Sequence, residues 1–241
     1  MDGVKDLLQR LSSFSRGLTG HPPPGKPVTA KEFQAWYLHT QATASSRTTD
    51  AYWLLVEGGY LRESKILARN LMERLFHSLF AGLAVENAAI LSCVERRRHL
   101  RNLRKIHGDP PLSPEGQKLI AGENQKLVET QWLLKGSKPP EDLSLLEIAL
   151  RVDWEKIYRA CYAPFSAYAH GGCLPFSDWK DDANQAFVHW LATAAPVYTS
   201  YEYHRASCQP VDPAVTREWR SLLEEIRNLT LRENPPCPLE G

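Results

Sequence analysis

The chain has 241 residues, a formal net charge of +1 and a composition 43% hydrophobic and 24% charged, which excludes a disordered or fibrous protein. Its 29 basic and 28 acidic residues balance, which argues against a dedicated nucleic-acid coat but leaves room for a local basic patch. No run of 18 or more apolar residues exists to span a bilayer.

Residues 2–18 place Val4, Leu7, Leu8, Leu11 and Phe14 at helical spacing. This stretch lacks an apolar signal core and a small-residue cleavage site, so a cytoplasmic location is expected. Three prolines, Pro22-Pro23-Pro24, then break the helix, and residues 1–27 read as a helical arm and proline-rich linker, loosely attached. Thr29 and Glu32 form a capping box that starts a long helix running towards Glu57, with an interruption expected near Ser45-Ser46. Gly58-Gly59 supplies the positive φ that closes it. The next helix covers about Arg62 to Leu83 and carries so broad an apolar stripe that it should be heavily buried.

A further helix spans about Ala88 to Ile106 and ends at Gly108-Asp109-Pro110-Pro111. Ser113-Pro114 restarts the chain with an N-cap and a proline at the first helical position, in a helix predicted to reach Lys135. Ser144 and Glu147 make a second capping box for a short helix over 144–152, and another follows over 154–170 up to Gly171-Gly172. Residues 178–206 read as a long helix bent at Pro196, and Asp212-Pro213 caps a last helix to about Leu231. The expected fold is all-α, a bundle of eight or nine helices with no sheet. Residues 28–232 are its single domain and 233–241 a flexible tail.

Arg69 and Glu73 lie four apart on the most apolar helix, so they share a face. They are read either as an intrahelical ion pair or as the wall of an internal polar pocket. Tyr158, Tyr162, Ser166 and His170 recur every fourth residue and form a polar-aromatic stripe. Ser166 and His170 superficially suggest a base-activated nucleophile, but no third acid lies nearby in sequence and no nucleophile elbow surrounds the serine. A hydrogen-bonded core histidine at a helix C-terminus is the commoner arrangement.

The segment Leu61-Arg62-Glu63-Ser64-Lys65-Ile66-Leu67-Ala68-Arg69-Asn70-Leu71-Met72-Glu73 follows a Gly58-Gly59-Tyr60 turn. Later comes Tyr162-Ala163-Pro164-Phe165-Ser166-Ala167-Tyr168-Ala169-His170. The two together resemble an uncharacterised family of bacterial all-helical domains, which carries an Arg-x-Leu-x-Glu-like element and a later Tyr-x-x-Leu-Ser-x-x-x-His element. The resemblance covers about residues 50–172. This chain departs from it with Phe165 for the usual Leu, Pro164 inside the helix and Gly171-Gly172 after the histidine. The resemblance implies a helical bundle in which Arg69, Glu73, Ser166 and His170 meet, and it implies no activity; with Tyr162 of the same stripe these four make the candidate polar cluster.

Residues 96–107 carry Arg96, Arg97, Arg98, Arg101, Arg104 and Lys105. Arg97, Arg98, Arg101, Arg104 and Lys105 are the candidate nucleic-acid contacts, since such a face binds phosphates by releasing counterions. Arg101-Asn102 with His107 is also similar to the Arg-Asn-x-x-x-x-His pattern of HEPN-type helical ribonucleases. There the histidine assists attack of the 2′-hydroxyl and the arginine holds the phosphate. A solvated face paired with acidic neighbours is the plainer account.

Five widely scattered cysteines fit reduced thiols better than a disulfide frame. His204 with Cys208 and His170 with Cys173 have ligand-like spacing, but no second matching pair completes a tetrahedral site, so no metal and no cofactor is expected. The seven tryptophans are expected in core and helix-crossing contacts. Two functions follow. One is a binding or regulatory helical module, in a defence or stress setting, with a protein partner, a homodimer among the options and helix 178–206 as docking surface. The other is a metal-independent HEPN-type ribonuclease acting on RNA.

Overall fold

The structure is a computed structural model, and it describes residues 2–23, 25–111, 113–162, 182–208 and 210–230. Nine helices occupy these residues, with no strand among them: α1 Asp2–Thr19, α2 Ala30–Glu57, α3 Leu61–Leu83, α4 Asn87–His107, α5 Pro114–Trp132, α6 Leu145–Arg151, α7 Glu155–Ile157, α8 Asp182–Ser207 and α9 Pro213–Thr230. A π-helical turn, Tyr158–Tyr162, continues α7.

The helix starts follow from their caps. Thr29 and Glu32 exchange side-chain and backbone hydrogen bonds at the head of α2, and Ser144 and Glu147 do the same for α6. Ser113 accepts from the Gly116 amide, with Pro114 at the first turn of α5. Gly59 closes α2 at φ +81°. Lys135 and Gly136 both take positive φ, so α5 ends at Trp132 rather than reaching Lys135. The helix expected over 154–170 is α-helical only to Ile157 and widens to the π turn; positions 163–170 lie outside the described residues.

The interruption expected at Ser45-Ser46 does not occur. Ala42, Ser45 and Thr49 are buried, and the Thr49 hydroxyl donates to the Ala192 carbonyl of α8 at 2.9 Å. These small residues let two backbones approach, so a tight crossing explains the serine that local propensity read as a break. The α8 partner face is equally small, with Ala192, Ala194 and Ala195 fully buried.

Helix α8 is the axis of the fold, packed by α1, α2, α3 and α9. Helix α4 packs on α2 and α3, α5 on α4, and α6 on α3. Leu38, Tyr52, Leu71, Leu75, Phe76, Leu191, Leu222 and Ile226 are among the side chains closing one core. Each large apolar side chain removed from water contributes about 1.5–3 kcal/mol. Helix 178–206 was the expected docking surface, but its described part is this central helix, buried on several sides. The N-terminal stretch expected to hang loosely is docked: Leu7, Leu11 and Phe14 are buried in the shared core. Its apolar stripe has no other place to leave water.

The C-terminal end of α3 has no cap of its own. Its open carbonyls are met by other elements instead. Gln34 Nε2 donates to Ala81 O at 2.6 Å and Ala84 O at 3.2 Å, Asn87 Nδ2 to Phe80 O at 2.8 Å, and Arg205 Nη2 to Gly82 O at 2.8 Å. Arg205 also pairs with buried Glu202 at 2.8 Å. A Cβ on Gly82 would clash with the Glu202 carboxylate, so the missing side chain is what lets α3 and α8 meet here.

Aromatic rings tie the helices together. Trp154 meets Phe76 edge-on at 6.1 Å and Tyr198 at 5.5 Å, while Trp219 stacks on Tyr201 at 4.3 Å. Trp132 departs from this pattern and stands 74% exposed.

Candidate functional site

Arg69 and Glu73 stand one turn apart on α3, half-buried, with Arg69 Nη2 3.1 Å from Glu73 Oε1. Facing them, the π-helical turn delivers Tyr162. Its oxygen accepts from Arg69 Nη2 at 3.1 Å and donates to Glu73 Oε1 at 2.6 Å. The guanidinium carbon also lies 5.3 Å from the Tyr162 ring centroid, within cation–π range. Tyr162 is held in turn by stacking on Tyr158 at 5.1 Å, and Tyr158 leans on Phe76 of α3. π-Helical turns are uncommon and recur at functional sites.

The electrostatics keep the phenol protonated. Burial and the hydrogen bond to the Glu73 carboxylate push Tyr162 up to about 12, against the opposing pull of Arg69. Arg69 Nε is buried with no hydrogen-bond partner among the described residues. Three of the five residues grouped from the sequence thus meet. The other two, Ser166 and His170, lie outside the described residues. Spacing along the chain grouped Arg69 with Glu73 and Tyr162 with Tyr158. The bridging of the pair by the Tyr162 hydroxyl depends on how two helices cross, which spacing does not encode.

The basic face of α4 is matched by the chain itself. Arg96 pairs with Glu123 of α5 at 2.6 Å. Arg97 Nη1 donates to Pro139 O at 3.3 Å and Pro140 O at 2.6 Å. Arg98 pairs with Asp142 at 2.7 Å, with Arg101 4.0 Å from the same carboxylate. Arg104 lies 3.8 Å from Asp109, and Lys105 is exposed. The hydrogen bond from Arg98 holds the Asp142 carboxyl below its ordinary value. Burial opposes ionisation of Glu123, but Arg96 and Lys126 outweigh it and lower this carboxyl too.

Arg101 and His107 do not converge. Six residues apart, they project about 120° from one another around the helix. Arg101 faces the Asp142 loop, whereas His107 is half-buried in the notch left by Gly116, where an added Cβ would come within 2.9 Å of the His107 Cβ.

Two polar contacts escape any reading of spacing, because their partners are far apart in sequence. Tyr52 Oη lies 2.6 Å from His189 Nδ1, with Trp53 stacked on the imidazole at 5.1 Å. Burial lowers the His189 pKa. The second contact is the Arg205 Nη2 bond to Gly82 O at 2.8 Å, beside which Glu202 lies one turn away on the same helix.

Of the ligand-like pairs, His204 Nε2 is buried without a partner among the described residues and Cys208 is exposed. His170 and Cys173 lie outside the described residues. Among the described residues, no group of three or more His, Cys, Asp or Glu is placed to hold a metal ion, and no helix is long and apolar enough to cross a membrane.

These features define an all-helical domain with a hydrogen-bonded polar centre between α3 and the π turn. Residues 35–186 match a family of unknown function, DUF5677, and the chain belongs to that family. No curated protein and no solved structure matches the chain.

Proposed function

We propose that this chain is a helical binding or regulatory module whose working centre is the Arg69–Tyr162–Glu73 group. The observation that carries this reading is the placement of three hydrogen-bonded polar side chains at a π-helical turn, half-buried at the edge of the core. A purely structural ion pair on α3 needs no tyrosine from a second element, because Arg69 and Glu73 already reach each other at 3.1 Å. The centre offers a guanidinium, a phenol and a carboxylate in a fixed array, suited to grasping a polar group of a protein partner.

The ribonuclease reading loses its footing on two counts. The arginines of α4 mostly face the chain's own carboxylates and carbonyls, and Arg101 and His107 point apart. A face already neutralised has few counterions left to release.

The test is affinity capture from the native host with the wild-type protein and with Arg69→Gln and Glu73→Gln variants. A partner retained by the wild type and lost by a variant with an unchanged melting temperature supports the module. Identical captured sets refute it. Fluorescent single-stranded RNA provides the second arm: binding at low salt that falls steeply with added salt, and cleavage lost in His107→Ala, would favour the ribonuclease instead.

A further inference from the structure

Aromatic rings run in one unbroken series from the surface to the polar centre. Tyr201 of α8 stacks on Trp219 of α9, with ring centroids 4.3 Å apart and planes 12° from parallel. Trp219 meets Tyr198 edge-on at 5.7 Å, and Tyr198 meets Trp154 edge-on at 5.5 Å. Trp154 and Tyr158 stand one turn apart, the Tyr158 amide donating to the Trp154 carbonyl at 3.0 Å. Both rings lean on Phe76 of α3, at 6.1 and 6.4 Å. Tyr158 then stacks on Tyr162 at 5.1 Å. Apart from Phe76, every ring is a tyrosine or a tryptophan, the two aromatic side chains that give up one electron most readily. The two ends differ. Tyr201 and Trp219 are partly open to solvent. Tyr162 is the half-buried phenol whose hydroxyl donates to Glu73 Oε1 at 2.6 Å.

We propose that the series from Tyr201 to Tyr162 is a one-electron relay, along which an oxidising radical at the surface draws an electron from Tyr162 while the Tyr162 proton passes to Glu73. The radical takes one electron from the Tyr201–Trp219 pair and is reduced. The vacancy moves inward by single-electron transfers through Tyr198, Trp154 and Tyr158 until Tyr162 supplies the electron. The Tyr162 O–H bond breaks as that electron leaves, and an O–H bond forms on Glu73. A neutral tyrosyl remains, its oxygen still accepting from Arg69 Nη2. The chemistry of the two ends explains where the vacancy stops. The Tyr162 phenol stays protonated up to about 12, so loss of an electron entails loss of a proton. Proton transfer needs an acceptor within hydrogen-bond reach, and Glu73 is one. Tyr201 meets only the Thr216 hydroxyl, at 3.3 Å, which is a poor base. A buried indole N–H usually finds an acceptor. That of Trp219 has none among the described residues, so its oxidised ring keeps its proton and holds the vacancy only in transit.

The experiment is flash photolysis of the full chain with ruthenium tris-bipyridine and persulfate, which generate a one-electron Ru(III) oxidant, followed by electron paramagnetic resonance of the frozen sample. The expected result is a tyrosyl signal that Tyr162→Phe largely removes. Trp219→Phe and Trp154→Phe keep a ring for packing but not one that surrenders an electron, and each lowers the signal severalfold. Glu73→Gln lowers it too, because an amide is a poor proton acceptor. Trp36→Phe, at an exposed indole outside the series, leaves it unchanged. Circular dichroism melts confirm that the variants fold, and either tryptophan variant gives the reading if the other does not. A tyrosyl signal of full size in Tyr162→Phe overturns the proposal. So does a signal undiminished in every tryptophan variant that folds, one undiminished in Glu73→Gln, or one lowered equally by Trp36→Phe. The relay uses the hydrogen bonds of the polar centre and not its binding role. Its radical is read in the isolated chain, so partner capture and the relay stand or fall separately.

Discussion

Gly82→Ala separates helix propensity from packing, because the two predict opposite signs. Gly82 lies near the end of α3, and on propensity alone alanine there adds about 1 kcal/mol of stability. The structure places Glu202 and Arg205 against that position. A Cβ would come within 2.9 Å of the Glu202 Cδ and 3.1 Å of Arg205 Nη2, and nearer still to the carboxylate oxygen. Glu202 is only 8% exposed, so it has little room to withdraw. Moving it breaks the 2.8 Å bond to Arg205 and disturbs the Arg205 bond to Gly82 O. Hydrogen bonds to charged groups contribute about 1.5–3 kcal/mol each. Set against the propensity gain, the net loss from the broken bond is about 0.5–2 kcal/mol, a fall in melting temperature of roughly 1–8 °C for a chain of this size. The assay is thermal unfolding followed by circular dichroism in a double-mutant cycle. In a Glu202→Ala background the carboxylate clash is gone and only the flexible Arg205 end at 3.1 Å must give, so Gly82→Ala should turn neutral or stabilising. A rise in melting temperature for Gly82→Ala in the wild-type background would refute the reasoning.

Three further outcomes are expected. Glu123→Gln leaves Arg96 and Lys126 without their shared carboxylate and should cost about 1–3 kcal/mol, measured by denaturant unfolding, with little dependence on the exposed Lys126. In an alkaline spectrophotometric titration, the phenol lost on Tyr162→Phe should be one that ionises near 12 rather than 10, and Glu73→Gln should bring Tyr162 down towards the ordinary value. His189 has its folded pKa depressed by burial, so the unfolded chain binds more protons. The stability it contributes is therefore complete above the ordinary 6.5 and is lost as pH falls below that value. Melting temperature followed from about pH 7.5 to 5 should fall less steeply in His189→Asn than in the wild type.

The helices were legible because their signals are local. The Thr29–Glu32 and Ser144–Glu147 boxes and the Ser113-Pro114 start each act within one turn, and the chain obeys them. What sequence missed lies between helices. Ser45 looks like a breaker until α8 is laid against it, and α1 looks loose until its Leu7–Leu11–Phe14 stripe finds the core. The π turn at Tyr158–Tyr162 follows a regular i, i+4 pattern that ordinary α-helix satisfies equally well, so nothing in the spacing marks it. At the polar centre, the pairing of Arg69 with Glu73 could be read from one helix, but the bridging role of Tyr162 could not. On α4, the run of positive residues was visible, whereas their acidic and carbonyl partners on α5 and the following loop became evident only once the chain was folded.

The position of α8 in the chain governs the order in which the protein is made. Helices α2 and α3 both pack against it, yet α8 begins at Asp182, so it leaves the ribosome only after α1 to α7. Until then α2 and α3 have only each other, α1, α4 and α6 to cover them, and the contacts that α8 adds span more than a hundred positions, as in Thr49 with Ala192. Closure of this bundle therefore waits on contacts of long sequence separation, the kind that slows folding relative to local helix pairing. Any fragment that stops short of α8 should emerge as a sticky, degradation-prone polypeptide rather than a smaller domain.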